Sequence, residues 1–382
     1  MLKNKRNKIE LRSLFLPVHF PLTYCDPFPL ASYAFPTSAT AGRCYPEPLH
    51  PYRGAFQRDR DRIIHCAAFR RLSEKMQVFT TEFGNYHRTR LTHTMEAVCV
   101  ARTIGRALKL NEDLIEAAAL LHDIGHSPFS HAGETALSQL LHDCGGFDHN
   151  VQALRIVEKL ERRYTGFPGL NLSREILDGQ TYKIDKMIMP LLEIQAVDIA
   201  DSIAYDTHDV DDAMELKLLT TEQLMQTSLW KRSAGRIRGQ WTNLNDTEFR
   251  RAVIHDLIET QVSDVLQATS QRLEESWQTA DARRQQIIAP STEVAKQKRE
   301  MEQFLTENVY RHPNVMVYRR RVADWVGTIF DYYISHPERL PERYGAIIQQ
   351  EGVNRAAADY VADQTDRSIR SELLRLNPRR VG

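Results

Sequence analysis

The densest group of side chains that could do chemistry lies in one short stretch, residues 121–131, which reads LHDIGHSPFSH. A helix ending near Gly125 would carry His122 and Asp123 at its C-terminal end and could aim both into one cleft. Neutral imidazole and carboxylate together suit a catalytic Mn, Fe, Zn or Mg ion that keeps open positions for water. A His-Asp pair alone is more often structural, so a metal site needs support from elsewhere in the chain.

Two further segments carry residues that would complete a metal site. His93 lies at the start of a predicted helix whose apolar face is Ala97, Ala101, Ile104 and Leu108. A second predicted helix, 192–216, carries a polar stripe at spacings of 3, 4 and 4, formed by Asp198, Asp201, Tyr205 and Asp209. Carboxylates on an otherwise apolar helix are costly to bury unless they are paired or bind a metal. The alternative is a solvated stripe, which fits residues 209–212 better than Asp201.

Helical periodicity dominates the chain after about residue 55. Two more apolar faces are Leu114, Ala117, Ala118 and Leu121, and Val151, Leu154, Val157 and Leu160. Asp148 is the predicted N-cap of the second of these helices, and longer helices are predicted over 245–277, 293–309 and 319–336. Alternating strand patterns are nearly absent, which predicts an all-α fold. Residues 164–190 are richer in Gly and Pro and predict a loop or a short hairpin.

The N-terminal segment differs from the rest of the chain in its proline content. Half of the sixteen prolines lie in the first 51 residues. Because proline blocks helix interiors, this segment is predicted to be irregular. It is either a disordered leader or an arm that wraps a neighbouring subunit, and the sequence favours neither.

Composition narrows the class of protein. Lys plus Arg is 50 and Asp plus Glu is 50, so the formal net charge is zero, which argues against a tail-driven nucleic-acid binder but leaves room for a local basic pocket. Five cysteines without a C-x-x-C pair indicate a reducing compartment, so a cytoplasmic location is expected. No stretch approaches the length of a membrane span, and neither a P-loop nor a Rossmann motif occurs.

His93, then His122 with Asp123, then Asp201 resembles the H…HD…D order of the HD-domain metal phosphohydrolases. The flanking segments are more similar to one branch, the deoxynucleoside triphosphate (dNTP) triphosphohydrolases, over 58–65, 69–72, 75–79, 88–93, 122–134, 147–150 and 200–209. The resemblance covers most of 42–212 and continues weakly to about 345. It implies a single α-helical HD-type domain over 55–345, with its core at about 88–212. An irregular arm, 1–54, would precede this domain and a helical C-terminal tail, 346–382, would follow it.

The resemblance also implies roles for individual residues. Four would bind a divalent metal ion: His93, His122, Asp123 and Asp201. Four would be catalytic: His131 and Glu134 as a His-Glu pair, with His126 and His149 beside them. Six would contact substrate: Arg90 and Arg251 the triphosphate, Gln77 and Val78 the sugar and base, and Tyr205 and Asp209 the deoxyribose. A tyrosine ring under C2′ would leave no room for a ribose hydroxyl.

This chain departs from the common family text at four positions. Met76, Ser127 and Ser130 stand where Thr, Pro and Gly are usual, which affects the expected base preference and not the metal ligands. Ser202 stands where some relatives carry a lysine that contacts phosphate, so that cation must come from elsewhere or be missing.

The implied activity is metal-dependent hydrolysis of a dNTP, such as dGTP, to deoxynucleoside and tripolyphosphate. The resemblance further implies a homo-oligomer, tetrameric or hexameric, in which a nucleotide can act as an activator. Two alternatives stay open. One is another HD phosphohydrolase, such as a 5′-nucleotidase or a phosphodiesterase, and the other is a non-catalytic regulatory protein that binds nucleotide or single-stranded DNA.

Overall fold

Helices form nearly all of the regular structure in the computed structural model, which describes residue 26 and residues 29–78, 88–187, 189–276 and 285–376. The α-helices are α1 Ala55–Ile64, α2 Ala67–Arg71, α3 Arg90–Ala107, α4 Glu112–Leu121, α5 Ser130–Leu140, α6 His149–Arg155, α7 Arg174–Ile184, α8 Leu192–Glu215, α9 Thr221–Leu224, α10 Ser228–Gln240, α11 Asp246–Ser276, α12 Thr292–Leu305, α13 Pro313–Ser335, α14 Gly345–Glu351, α15 Val353–Ala362 and α16 Asp366–Leu376. Within these ranges no strand forms and only two isolated bridges occur, so the predicted all-α class is confirmed.

The centre of the fold is the group α3, α4 and α8, which pack against one another, with α1 and α7 against α4. Local sequence explains where the first two helices begin. The Thr89 side chain accepts a hydrogen bond from Thr92 N at the start of α3, and Asn111 accepts one from Leu114 N at the start of α4. The apolar faces predicted over 97–108 and 114–121 are buried, so these predictions are confirmed.

Two further apolar clusters flank this centre. In one, α5 packs against α13, and α13 contacts α15 and α16, around Trp325 and Phe330. In the other, α10, α11 and α12 surround the C-terminal half of α8, with Trp230 fully buried among them. Residues 29–54 contain a single 3₁₀ turn, Thr37–Ala39, before α1 begins. The division into arm, domain and tail stays a prediction, and no described helix is long and apolar enough to cross a membrane.

The prediction of a loop or hairpin over 164–190 is wrong, because α7 occupies its middle. Gly179, which suggested a loop, lies inside α7 against α8. A Cβ there would lie 2.6 Å from Ile194 Cδ1, so the glycine allows the two helices to approach closely. Irregular backbone lies on either side of α7, at 185–187 and at 164–173, where Gly169 has a φ of +66° and Asn171 a φ of +49°.

Two helix predictions need smaller corrections. Val151 is exposed although it was expected on a buried stripe, because α6 ends at Arg155 and a π-helical turn, Ile156–Leu160, shifts the phase of the buried side. The helix predicted over 319–336 begins earlier, at Pro313, where proline is favourable in the first turn and His312 accepts a hydrogen bond from Asn314 N. Asp148 is confirmed as an N-cap, since it accepts from Asn150 N and Val151 N.

We predict that Gly125→Ala destabilises the protein by about 1–3 kcal/mol, in the range of overpacked substitutions. A Cβ at Gly125 would lie 2.0 Å from His149 O and 2.4 Å from Ala153 N, so α6 would have to move. Thermal unfolding followed by circular dichroism measures the effect. The matched control is Gly235→Ala in α10, where nothing lies within 4 Å, and it should stabilise by about 0.5–1 kcal/mol. A Gly125→Ala protein that melts at or above the wild type contradicts the prediction.

Candidate functional site

Three segments bring imidazole and carboxylate groups together at the centre of the fold. His93 lies in the first turn of α3, His122 directly follows α4, and Asp201 lies in α8. Asp201 Oδ1 is 3.0 Å from His93 Nε2 and 3.3 Å from His122 Nε2. The ligand atoms of all three residues lie within 4.8 Å of one another, which is close enough for them to share one ion.

Asp123, the fourth predicted ligand, lies at the edge of this group. Its Oδ1 is 3.6 Å from His122 Nε2, 3.1 Å from His126 Nδ1 and 3.0 Å from Arg90 Nη1. Burial alone would raise the pKa of Asp123, but the Arg90 charge and the neighbouring histidines bring that pKa well below its usual value. Asp123 is therefore an ionised, buried carboxylate beside the other three residues.

The donor atoms fit a divalent cation. His122 Nδ1 donates to Ala119 O over 2.6 Å, so the lone pair of this imidazole is on Nε2, which faces Asp201. His122 Nε2 and Asp123 Oδ2 are both buried without a hydrogen-bond partner among the described residues. Two such orphaned acceptors side by side are costly, and a shared cation would satisfy both. Imidazole with carboxylate suits Mn, Fe, Zn or Mg.

Lys183 also lies at this group and was missed by the sequence analysis. Its Nζ is 3.7 Å from Asp201 Oδ2 and 3.3 Å from Asp198 Oδ1. Burial alone would lower the pKa of Lys183, but these two carboxylates raise it, so the ammonium group stays charged. Lys183 belongs to α7, in the stretch predicted to be a loop. Only the helical spacing of residues 174–184 could have placed it opposite α8.

The predicted His-Glu pair is present and forms a second polar group. His131 Nδ1 is 3.3 Å from Glu134 Oε2, and His149 Nδ1 is 2.7 Å from Glu134 Oε1. His126 stacks on His149 with 3.8 Å between ring centroids. Burial alone would raise the pKa of Glu134, but hydrogen bonds from His131 and His149 bring it well below the usual range. A charged carboxylate therefore orients both imidazoles.

The turn between the two groups has an unusual backbone. Phe129 and Ser130 have φ of +62° and +57°, in the left-handed region that favours glycine. Ser130 stands where glycine is usual in the resembling family, and its hydroxyl donates to Gln77 O over 2.5 Å and accepts from Arg90 Nη2 over 2.9 Å. These hydrogen bonds offset a conformational cost of about 1 kcal/mol or more.

The C-terminal region holds the same turn from outside. Phe129 N donates to Asp366 Oδ1 over 2.8 Å. The buried Lys75 Nζ donates to His126 O over 2.6 Å and to Ala362 O over 2.8 Å. The end of α15 and the start of α16 therefore fix the backbone that carries the candidate catalytic histidines.

Some of the predicted substrate-binding residues lie beside the clustered polar groups and others do not. Arg90 and Gln77 are buried beside the turn, and Val78 packs near the C-terminal half of α8, just before the undescribed residues 79–87. Arg251 is exposed on α11, and among the residues that the structure describes no hydrogen bond or ion pair joins it to the clustered residues. The roles of all six residues stay predictions.

Tyr205 and Asp209 lie together, and Tyr310 joins them as a residue the sequence analysis missed. The Tyr310 hydroxyl donates to Asp209 Oδ2, and the Tyr205 and Tyr310 rings are 6.4 Å apart. Asp209 is fully buried, so the solvated-stripe alternative is wrong for this residue. The reason is tertiary, because α11 and α12 cover this part of α8. Tyr310 ends a π-helical turn after α12, a position without a local sequence signal.

Comparison with known families agrees with this architecture. The HD domain family matches residues 90–206. This range contains the metal-type group, which is His93, His122, Asp123 and Asp201, and also the His-Glu pair. The phosphohydrolase-associated domain matches residues 288–375, which include the helices that hold the turn. An all-helical domain with this residue set is thus an HD domain of the phosphohydrolase type.

Relatives narrow the assignment further. Deoxyguanosinetriphosphate triphosphohydrolase-like proteins of Geobacter sulfurreducens and Leptospira interrogans are each 40% identical to this chain over 364 residues. The matches cover 91% and 88% of this chain and 94% and 93% of those proteins. The protein of the same name from Brucella ovis is 38% identical, over 88% of this chain and 92% of its own length. The chain therefore belongs to the deoxyguanosinetriphosphate triphosphohydrolase-like family of HD-domain proteins.

We predict that Asp209→Asn changes how stability depends on pH. Burial raises the pKa of Asp209 from 3.8 to about 8, so between these values the folded protein binds more protons than the unfolded chain. The contribution of Asp209 to wild-type stability therefore falls as pH rises through this window, by up to about 1.4 kcal/mol per pH unit. The neutral asparagine removes this contribution, so the stability of the variant relative to wild type should increase with pH.

Thermal unfolding of both proteins at pH 5, 6, 7 and 8 measures the difference. The exposed Asp143→Asn serves as the control and should follow the wild type at every pH. Parallel pH profiles for Asp209→Asn and wild type would show that the Asp209 carboxyl does not titrate in this window.

Proposed function

We propose that this chain hydrolyses a dNTP at the α-phosphate and releases deoxynucleoside and intact tripolyphosphate. The observation that carries the proposal is the convergence of His93, His122 and Asp201 within 4.8 Å, with Asp123 beside them. Relatives with dGTP in their names support a purine dNTP as the first substrate to test. Oligomer formation and activation by a nucleotide accompany the proposal as predictions.

His93, His122, Asp123 and Asp201 would hold the metal ion. A divalent ion in such a site supplies Lewis acidity toward a phosphate oxygen and makes water more acidic at neutral pH. Lys183, whose Nζ is 3.7 Å from Asp201 Oδ2, would supply the cation that a lysine at position 202 provides in some relatives. Arg90 keeps Asp123 ionised and, from the other side of the group, adds to the positive potential that a triphosphate would meet.

His131 supplies the proton that the leaving group needs. Cleavage at the α-phosphorus expels the 5′ oxygen of the deoxynucleoside, and this oxygen must be protonated as the bond breaks. Glu134 holds Nδ1 of His131, so a protonated imidazole presents its Nε2 proton away from Glu134. The His131 side chain is 47% exposed, which leaves it accessible to a ligand.

Tyr205, with Tyr310 and Asp209 behind it, supports selection of the deoxy sugar. Desolvation and the Asp209 carboxyl raise the pKa of the Tyr205 phenol, so this ring stays neutral. The Tyr310 hydrogen bond to Asp209 restricts the space around the ring. If the deoxyribose lies against the Tyr205 ring, a ribose 2′-hydroxyl would collide with that ring.

The decisive experiment incubates each dNTP, and the matching ribonucleotides, with Mn²⁺ or Mg²⁺ and separates both products by chromatography. The expected result is free tripolyphosphate with deoxynucleoside, little turnover of ribonucleotides, and no turnover by Asp201→Ala. The exposed Asp143→Ala is the matched control and should retain wild-type rates. Inorganic phosphate from a monophosphate would favour another HD phosphohydrolase, and binding without turnover would favour a regulatory protein.

We predict that His131→Asn lowers kcat by about 10²–10⁴-fold, the usual contribution of a positioned general acid. The Mn²⁺ affinity of the site formed by His93, His122 and Asp201, measured by calorimetry without nucleotide, should be unchanged because His131 is not one of its residues. His142→Asn is the control, since His142 Nδ1 is 3.1 Å from Asp143 in a similar but exposed His-carboxylate contact. An unchanged kcat in His131→Asn would remove this residue from the mechanism.

A further inference from the structure

A chain of hydrogen bonds leads away from the metal-type group on the side opposite Asp201. His93 Nδ1 is 3.0 Å from His208 Nδ1, and His208 Nε2 is 2.8 Å from Glu96 Oε2. Glu96 Oε2 also accepts from Arg88 Nε over 3.1 Å. His93 and His208 are buried, so water does not compete for the contact between the two rings.

The spacing along two helices creates this chain. His93 and Glu96 are three residues apart on α3, and Asp201 and His208 are seven apart on α8, so each pair lies on one face of its helix. Where α3 and α8 pack together, each helix thus contributes one predicted ligand and one residue of the hydrogen-bond chain. His208 and Glu96 were not among the site residues indicated by the sequence.

Only one arrangement of protons is consistent with a cation on His93 Nε2. A neutral His93 whose Nε2 lone pair faces Asp201 carries its proton on Nδ1 and must donate it to His208 Nδ1. His208 then has its own proton on Nε2, and the Glu96 carboxylate, which can only accept, receives it. The opposite tautomer of His208 would place two acceptors, Nε2 and the carboxylate, 2.8 Å apart.

We propose that His208 is a positioning residue of the metal centre. His208 Nδ1 accepts a hydrogen bond from His93 Nδ1, and Glu96 fixes the His208 tautomer. The inference rests on the proposed metal site and adds two residues to it. Partners of this kind orient a ligating imidazole and raise its basicity, and their loss costs about 10- to 100-fold in metal affinity. Arg88, which also contacts Asp212 over 2.6 Å, anchors Glu96 at the far end.

The test measures Mn²⁺ affinity by calorimetry on the full chain without nucleotide. His208→Leu removes the acceptor and should weaken Mn²⁺ binding about 10- to 100-fold. His208→Asn places an amide oxygen near the position of Nδ1 and should recover most of the lost affinity. The matched control is Thr207→Val, next along α8, which is buried but bonds only its own helix backbone at Ile203 O and Ala204 O. Its Mn²⁺ affinity should equal that of wild type.

A second readout does not depend on any variant. In wild-type protein labelled with ¹⁵N-histidine and loaded with Zn²⁺, long-range ¹H–¹⁵N spectra should show His93 protonated at Nδ1 and His208 protonated at Nε2 only. A His93 without an Nδ1 proton overturns the proposal even if His208→Leu fails to fold.

The outcomes also separate this inference from the proposed function. Wild-type protein that binds no Mn²⁺ would remove the metal centre on which both depend. If wild type binds Mn²⁺ and Asp201→Ala does not, the centre stands. Wild-type affinity in His208→Leu would then overturn the role of His208 alone.

Discussion

Asp201 Oδ1 lies between His93 Nε2 and His122 Nε2, and the contacts to these two nitrogens join three helices that are far apart in sequence. Polar groups can meet at such a point only if the helix backbones approach closely. Small residues help these helices to approach, since Ala101 of α3, Ala117 of α4 and Ala200 of α8 are buried in the central apolar cluster. The convergence thus constrains the packing of the whole central group, and α7 follows the same principle through Gly179.

Charged side chains around this point are arranged in opposite pairs. Asp123 faces Arg90, and Asp201 faces Lys183. Arg90 and Asp123 are both buried, so removing either would leave the other as an uncompensated buried charge, which costs more than the pair contributes. The pairs explain how a site rich in carboxylates and imidazoles can form at the centre of the fold.

Sequence reasoning predicted the elements whose signals are local and missed those that depend on tertiary cover. The periodic apolar faces of α3 and α4 and the cap at Asp148 were sufficient to place them. α7 was missed because a glycine such as Gly179, considered only with its sequence neighbours, suggests a loop. In the structure Gly179 instead allows α7 to pack closely against Ile194 of α8. Lys183 was lost with it.

Burial was hardest to judge at the C-terminal half of α8. Acidic spacing there fits a solvated surface equally well, and only the cover by α11 and α12 makes Asp209 a buried group. The contact of Tyr310 with Asp209 also depends on tertiary structure, since the two residues are about a hundred positions apart in the sequence. The metal-type residues could be named from the sequence through family resemblance. The residues that orient them could not, because they depend on which helix faces meet.

The two polar groups are joined by one short stretch of backbone, from His122 to Glu134, as well as by side-chain contacts. His126 bonds Asp123 on one side and stacks on His149 on the other, so a shift of this loop would disturb both groups together. The left-handed backbone at Phe129 and Ser130 persists because Arg90 and Asp366 bind the turn from two directions. Asp366 comes from the phosphohydrolase-associated region, so that region fixes the turn that carries the candidate catalytic histidines beside His93, His122 and Asp201.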